Sequence, residues 1–124
     1  MRFLIDTNVY IRALAGKTPD TAFLKRAVLN KTVVFSPIVI AEFLTRALKE
    51  EQEIFEEMMQ SFPILPINEE TARIAAAYRK ASLQTSKTKL LDCFLAAQTK
   101  QHQAVFVTNN RSDFPMRDIR VIAP

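Results

Sequence analysis

Four carboxylates in this chain stand in surroundings where a carboxylate is costly. Asp6 ends an apolar run in "FLIDTNVYI", and Glu42 is embedded in "SPIVIAEFLTRAL". Asp92 sits among leucines, a cysteine and a phenylalanine in "KLLDCFLAAQ", and Asp113 closes the polar stretch of "AVFVTNNRSDFP". Each has an ordinary explanation when taken alone. Asp6 can cap a helix, and Glu42 can pair with Arg46 one turn on. Asp92 can oppose a helix dipole in a first turn, and Thr108, Asn109, Asn110 and Asp113 can form a turn. Taken together they suggest something else: acids converging on one pocket repel each other unless a cation neutralises them.

The kind of cation follows from what the chain lacks. It has a single cysteine, Cys93, and a single histidine, His102. A Cys/His zinc site and a disulfide framework are thereby excluded, as is a Ser-His-Asp triad that does not use His102. A metal must be held mainly by oxygen, which points to Mg²⁺ or Mn²⁺, ions that also bridge substrate phosphates. One glycine, Gly16, is too few for a phosphate-cradling P-loop or a dinucleotide fingerprint. Lys and Arg number 17 against 13 acids, a net charge of +4. Glu50, Glu51, Glu53, Glu56 and Glu57 share one short stretch, so the rest of the surface is more basic than the total implies. A basic surface around an acid pocket favours a polyanionic substrate, and a metal-bound acid set suits phosphodiester hydrolysis.

Length and composition set the frame that must position these residues. With 124 residues, 48% hydrophobic and 24% charged, the chain fits one globular domain spanning 1–124. The N-terminal apolar run is cut by Asp6 after three residues, and nothing approaches a membrane span of ~20 apolar residues. A cytoplasmic protein without a membrane partner is the expectation. Strands are predicted at Arg2 to Ile5, Thr32 to Phe35, Phe62 to Leu65, Ala104 to Val107 and Asp118 to Ile122. Helices are predicted from Asn8 to Leu14, from Thr18-Pro19, and from Ser36-Pro37 through Leu48. Further ones run on to Gln60, from an Asn68 cap to Leu83, and from Thr85 or Ser86 to His102. Alternating strands and helices predict an α/β fold, a mostly parallel sheet of about five short strands flanked by helices. Ligands gather at the carboxyl edge of such sheets. Asp6 and the 108–113 loop belong to that edge. Asp20, Glu69 and Glu70 are expected at helix starts and Asp118 at the last strand, all explicable as surface or capping residues.

The four motifs, in this order and over the whole chain, resemble the PIN-domain nucleases, and among them the small VapC-type toxins of toxin–antitoxin pairs. The resemblance implies that Asp6, Glu42 and Asp92 are the core metal-binding, catalytic acids and Asp113 a fourth. Thr7, Asn8, Thr108 and Asn110 are then supporting polar groups, and either Asp113 or Asn110 completes the site. It further implies a Mg²⁺- or Mn²⁺-dependent ribonuclease, an RNA substrate, a homodimer and a cognate antitoxin. Arg12, Lys87, Lys89 and Arg111, close in sequence to the acids, are the expected phosphate contacts. Ile54, Phe55, Met58 and Met59 form an apolar stripe beside the glutamates that suits either dimerisation or packing on the chain's own core. A response-regulator receiver has a similar length and alternation. It needs an aspartate after its third strand, where Leu65 and Pro66 stand here, and a lysine after a fifth, where this chain ends. A catalytically inactive RNA-binding PIN module, or a PIN nuclease of RNA processing without an antitoxin, remains as the alternative.

Overall fold

A computed structural model describes residues 1–84 and 88–124. Short branched or aromatic runs form four parallel strands, β1 (Phe3–Ile5), β2 (Val33–Val34), β3 (Val105–Val107) and β4 (Arg120–Ile122), in the order β2-β1-β3-β4. Phe3 pairs with both Val33 and Val105, and Val105 pairs in turn with Arg120. The predicted strand at Phe62 to Leu65 contracts to a single bridge between Phe35 and Ile64. Phe35 N donates to Pro63 O at 2.9 Å and Leu65 N to Phe35 O at 2.7 Å. Pro63 and Pro66 flank those bonds and carry no N–H, so the ladder cannot be extended.

The helices are α1 (Thr7–Leu14), α2 (Asp20–Leu29), α3 (Pro37–Arg46), α4 (Lys49–Ser61), α5 (Glu69–Ser82) and α6 (Leu90–Gln101). Ser36 caps α3 through Ile38 N at 3.2 Å with Pro37 in the first turn, and Asn68 caps α5 through Thr71 N at 3.0 Å. Other boundaries move. Thr18 is not a cap: α2 starts at Asp20 behind Pro19, which makes no side-chain cap bond, and the Thr18–Pro19 peptide is cis. α3 stops at Arg46 because Ala47 and Leu48 are extended, and Glu51 restarts the helix by accepting from Leu48 N. α6 begins at Leu90, and the expected start at Thr85 or Ser86 lies outside the described residues.

Leu4, Ile5, Val33, Val34, Phe106 and Val107 bury the sheet, and one face is sealed by the rings of Tyr10, Phe35, Phe43 and Phe55. Phe43 stacks on Phe55 at 4.1 Å and Tyr10 meets Phe55 edge-on at 5.1 Å. Phe55 is thus core, Met58 and Met59 pack against the core, and Ile54 stays 48% exposed. Most of the stripe therefore packs on the chain's own core. On the other side Gln98, fully buried, donates to the carbonyls of Leu65 and Pro66 at 3.1 Å each and pins the chain after the bridge. Among the described residues, no helix is long and apolar enough to cross a membrane.

Because β1 lies between β2 and β3, the chain leaves β1 toward one side of the sheet and returns on the other. The carboxyl ends of β1 and β3 are therefore the crevice where doubly wound sheets bind ligands.

Candidate active site

Asp6 stands in that crevice. Its N–H donates to Val107 O at 2.9 Å, which ties the end of β1 to the end of β3. Its side chain is the cap of α1, Oδ1 accepting from Thr7 N at 2.9 Å, while Oδ2 accepts from the Thr108 hydroxyl at 2.8 Å. The capping role is therefore real and uses only one oxygen. Thr7, buried in the first turn of α1, donates its hydroxyl to Glu42 Oε1 at 2.8 Å. That bond takes the place of the i,i+4 pairing expected for Glu42, since no Glu42–Arg46 ion pair forms among the described residues.

Asp92 occupies the first turn of α6, where Oδ2 accepts from Lys89 N at 3.0 Å. Here too a helix-end role engages one oxygen and leaves the other. Asp113 closes a 3₁₀ turn, Arg111–Asp113, that returns over the crevice. The turn is held on both sides: Phe114 packs on Phe106 at 4.4 Å, and the buried Thr88 hydroxyl donates to Asp113 O at 2.8 Å. Asp6, Glu42, Asp92 and Asp113 thus line one cleft of about 400 Å³, together with Thr7, Asn8, Asn110, Thr45, Arg46, Lys89 and Phe114.

The electrostatics agree with crowding. Burial, opposed by the Thr108 and Thr7 bonds and reinforced by the charges of Glu42 and Asp92, raises the Asp6 pKa above its ordinary 3.8. Burial also raises that of Asp92, with Asp113 and Glu42 adding repulsion and Lys89 N–H opposing it. Among the described residues Glu42 Oε2, Asp92 Oδ1 and both side-chain oxygens of Asp113 take no hydrogen bond. No three His, Cys, Asp or Glu among the described residues stand close enough together to form a coordination group. The donor set is all oxygen, anionic and under-neutralised, which fits a hard divalent ion and no soft one.

Thr108 is fully buried and belongs to the site through Asp6, and Asn110 lines the cleft while its N–H donates to Thr108 Oγ1 at 3.0 Å. Of the expected phosphate contacts, Lys89 lines the cleft, Arg111 lies exposed on the 3₁₀ turn, and Lys87 is outside the described residues. Arg12 lies elsewhere: its Nε donates to Asp20 Oδ1 at 3.1 Å. Asp20 is not the surface residue its position at a helix start suggested, because it is fully buried and also accepts from Asn109 Nδ2 at 2.8 Å. Glu69 pairs with Arg73 on the surface, and Asp118 lies before β4, held by Tyr78 and Lys100. Arg46 is the cleft cation that reading the sequence for chain neighbours passed over. Its spacing of one helical turn from Glu42 was the available signal.

Residues 3–119 match the family model described as PIN domain. No curated protein matches the chain in sequence. Among solved structures, FitAcB from Neisseria gonorrhoeae is similar at 27% identity and a TM-score of 0.73, covering 97% of this chain and 96% of its own. A toxin-antitoxin complex from Klebsiella pneumoniae is similar at 28% identity and a TM-score of 0.71, with 92% and 91% covered. VapBC2 from Rickettsia felis, bound to a DNA fragment from its promoter, superposes with a TM-score of 0.81 over 100% of this chain and 99% of its own. Its 19% identity speaks for the fold alone.

Proposed function

Because this chain belongs to the PIN domain family, we propose that it is a Mg²⁺- or Mn²⁺-dependent endoribonuclease and the toxin of a VapBC-type toxin–antitoxin pair. The observation that carries the nuclease reading is the arrival of four carboxylates from distant segments in one cleft at the sheet crevice, with oxygens left over from their structural bonds. Asp6, Glu42, Asp92 and Asp113 would hold the ion, which supplies an activated water and neutralises charge growing on the phosphate. The protein's own part is placement. Thr108 and Thr7 N–H favour the charged form of Asp6 by donating to it, against its burial, and Thr7 orients Glu42 through its hydroxyl. Lys89, the residue before α6, and Arg46, at the end of α3, line the same cleft and would contact substrate phosphates there.

The toxin reading is supported by the similar structure from Klebsiella pneumoniae being that of a toxin-antitoxin complex. It brings with it an antitoxin that covers the cleft and a homodimer. For protein partners the chain offers an apolar groove between α1, α2 and α4, with Leu29 81% and Ile54 48% exposed.

The decisive assay is cleavage of RNA by purified wild type and Asp92→Asn, each with EDTA and with millimolar Mn²⁺. The proposal requires Mn²⁺-dependent cleavage that the folded variant loses. Cleavage undiminished by EDTA would sink the metal mechanism. Tight RNA binding without cleavage would favour the inactive binding module.

A further inference from the structure

Asp20 is the most deeply buried carboxylate of the chain and does not line the acid cleft, yet its partners lead back to it. Oδ1 accepts from Arg12 Nε at 3.1 Å and Oδ2 from Asn109 Nδ2 at 2.8 Å, while its own exposure is 0%. A buried ion persists only when its lone pairs are satisfied in good geometry. The start of α2 gains from a negative charge, but that gain asks nothing of Asn109, which is 89 positions away in sequence.

The three residues after β3 divide their bonds in opposite directions. Thr108 turns inward and donates to Asp6 Oδ2, Asn109 turns outward to Asp20, and Asn110 N–H occupies a lone pair of Thr108 Oγ1 at 3.0 Å. With that lone pair taken, the single hydroxyl proton of Thr108 is left for Asp6. The contacts close a ring. It runs from Asp6 along α1 to Arg12, across Asp20 to Asn109, and through the adjacent Thr108 back to Asp6.

We infer that the Arg12–Asp20–Asn109 clasp is a positioning device for the metal-binding carboxylate Asp6, holding the loop after β3 so that the Thr108 hydroxyl meets Asp6 Oδ2. The inference rests on the proposed metal-dependent function. Asp20 and Asn109 act through Thr108 and touch no reacting atom. Partners of ligands that fix orientation in this way typically change metal affinity or turnover by 10–100-fold when removed.

Asn109 is exposed, so Asn109→Ala removes the outer tie without opening the core. Arg12→Gln loosens the clasp from its other end. Calorimetric titration with Mn²⁺ should show Kd rising about tenfold in Asn109→Ala and in Arg12→Gln. RNA cleavage at saturating Mn²⁺ should lose kcat while KM for RNA stays fixed. In a Thr108→Val background, Asn109→Ala should add less than a twofold further change, because the link it acts through is already cut. Wild-type Mn²⁺ affinity in both clasp variants, with only a lower melting temperature, would reduce the clasp to a structural tie and overturn the inference. So would a full tenfold loss from Asn109→Ala that survives in the Thr108→Val protein. Failure of wild type to bind Mn²⁺ at all would be a different result, overturning the proposed function and the inference with it.

Discussion

Replacing Asp6 by Asn should separate its two roles, helix cap and metal ligand, in a single set of thermal melts. As a cap, Asn is Asp's equal, so the bond from Thr7 N to Oδ1 survives. At Oδ2 the exchange is less benign, because an Asn amide donates where the carboxylate accepts from Thr108. That loses a hydrogen bond to a charged group, about 1.5–3 kcal/mol. Against it stands relief from a carboxylate whose raised pKa reports net disfavour for its charge in the fold, through burial and the Glu42 and Asp92 charges. The opposing effects leave the metal-free variant within about 2 kcal/mol of wild type. Metal discriminates. At a hundredfold excess over Kd, an ion bound only by the folded form adds about 2.7 kcal/mol. For a chain of this size that is a rise of roughly 10 °C. A tenfold weaker Kd leaves about 1.4 kcal/mol at the same concentration, roughly 5 °C. Differential scanning fluorimetry of both proteins in EDTA and in a Mn²⁺ series measures each quantity. Equal Mn²⁺ shifts in wild type and Asp6→Asn, or no shift in either, would refute the placement of Asp6 among the ligands.

Without metal, stability should fall as pH rises from the ordinary Asp value of 3.8 through the raised pKa values of Asp6 and Asp92, since the folded state binds more protons there; saturating Mn²⁺ should flatten that dependence in urea melts. Charge removal at Arg46 and Lys89 together should weaken RNA binding and lower the slope of log K against log salt by about 1.4 if both meet phosphates on a single strand, whereas Arg12→Gln should leave the slope intact. Fluorescence anisotropy from 50 to 300 mM salt reads this, and an unchanged slope removes both cations from the phosphate path. Ile54→Glu should turn a dimer into a monomer by light scattering at micromolar concentration, while a wild-type monomer under those conditions would end the homodimer proposal.

The acid cleft was legible because its members broke local rules. Asp6 interrupts an apolar strand, and Asp92 sits where leucines crowd a helix start, so each needed a reason beyond its own element. Asp20 broke no such rule. At a helix N-terminus an acid is ordinary, and its burial depends on Asn109, a partner that appears only when β1 and β3 come together. Arg12 was misplaced by treating nearness in sequence as nearness in space. Six residues of helix carry it about 9 Å from Asp6 along α1, where it meets Asp20 instead. The strand predicted at Phe62 to Leu65 shrinks to one bridge because Pro63 and Pro66 lack the N–H groups a ladder needs, a signal that branched and aromatic composition alone overrides. Tyr10 shows the limit of pattern reading: it fills the core like a phenylalanine, and its buried hydroxyl finds no partner among the described residues.

The pairing of β1 with β3 also sets a clock on the ribosome. Phe3 leaves the exit tunnel well before Val105, its neighbour in the sheet, and must wait for it. At about 5–20 residues per second, roughly 5–20 s separate the synthesis of Asp6 from that of Asp113. Throughout that interval the nascent chain carries carboxylates with nowhere to converge and an apolar strand with one flank open. A chain cut short before Asp113 therefore lacks one wall of the acid cleft, and its sheet keeps an unpaired apolar flank until β3 is made.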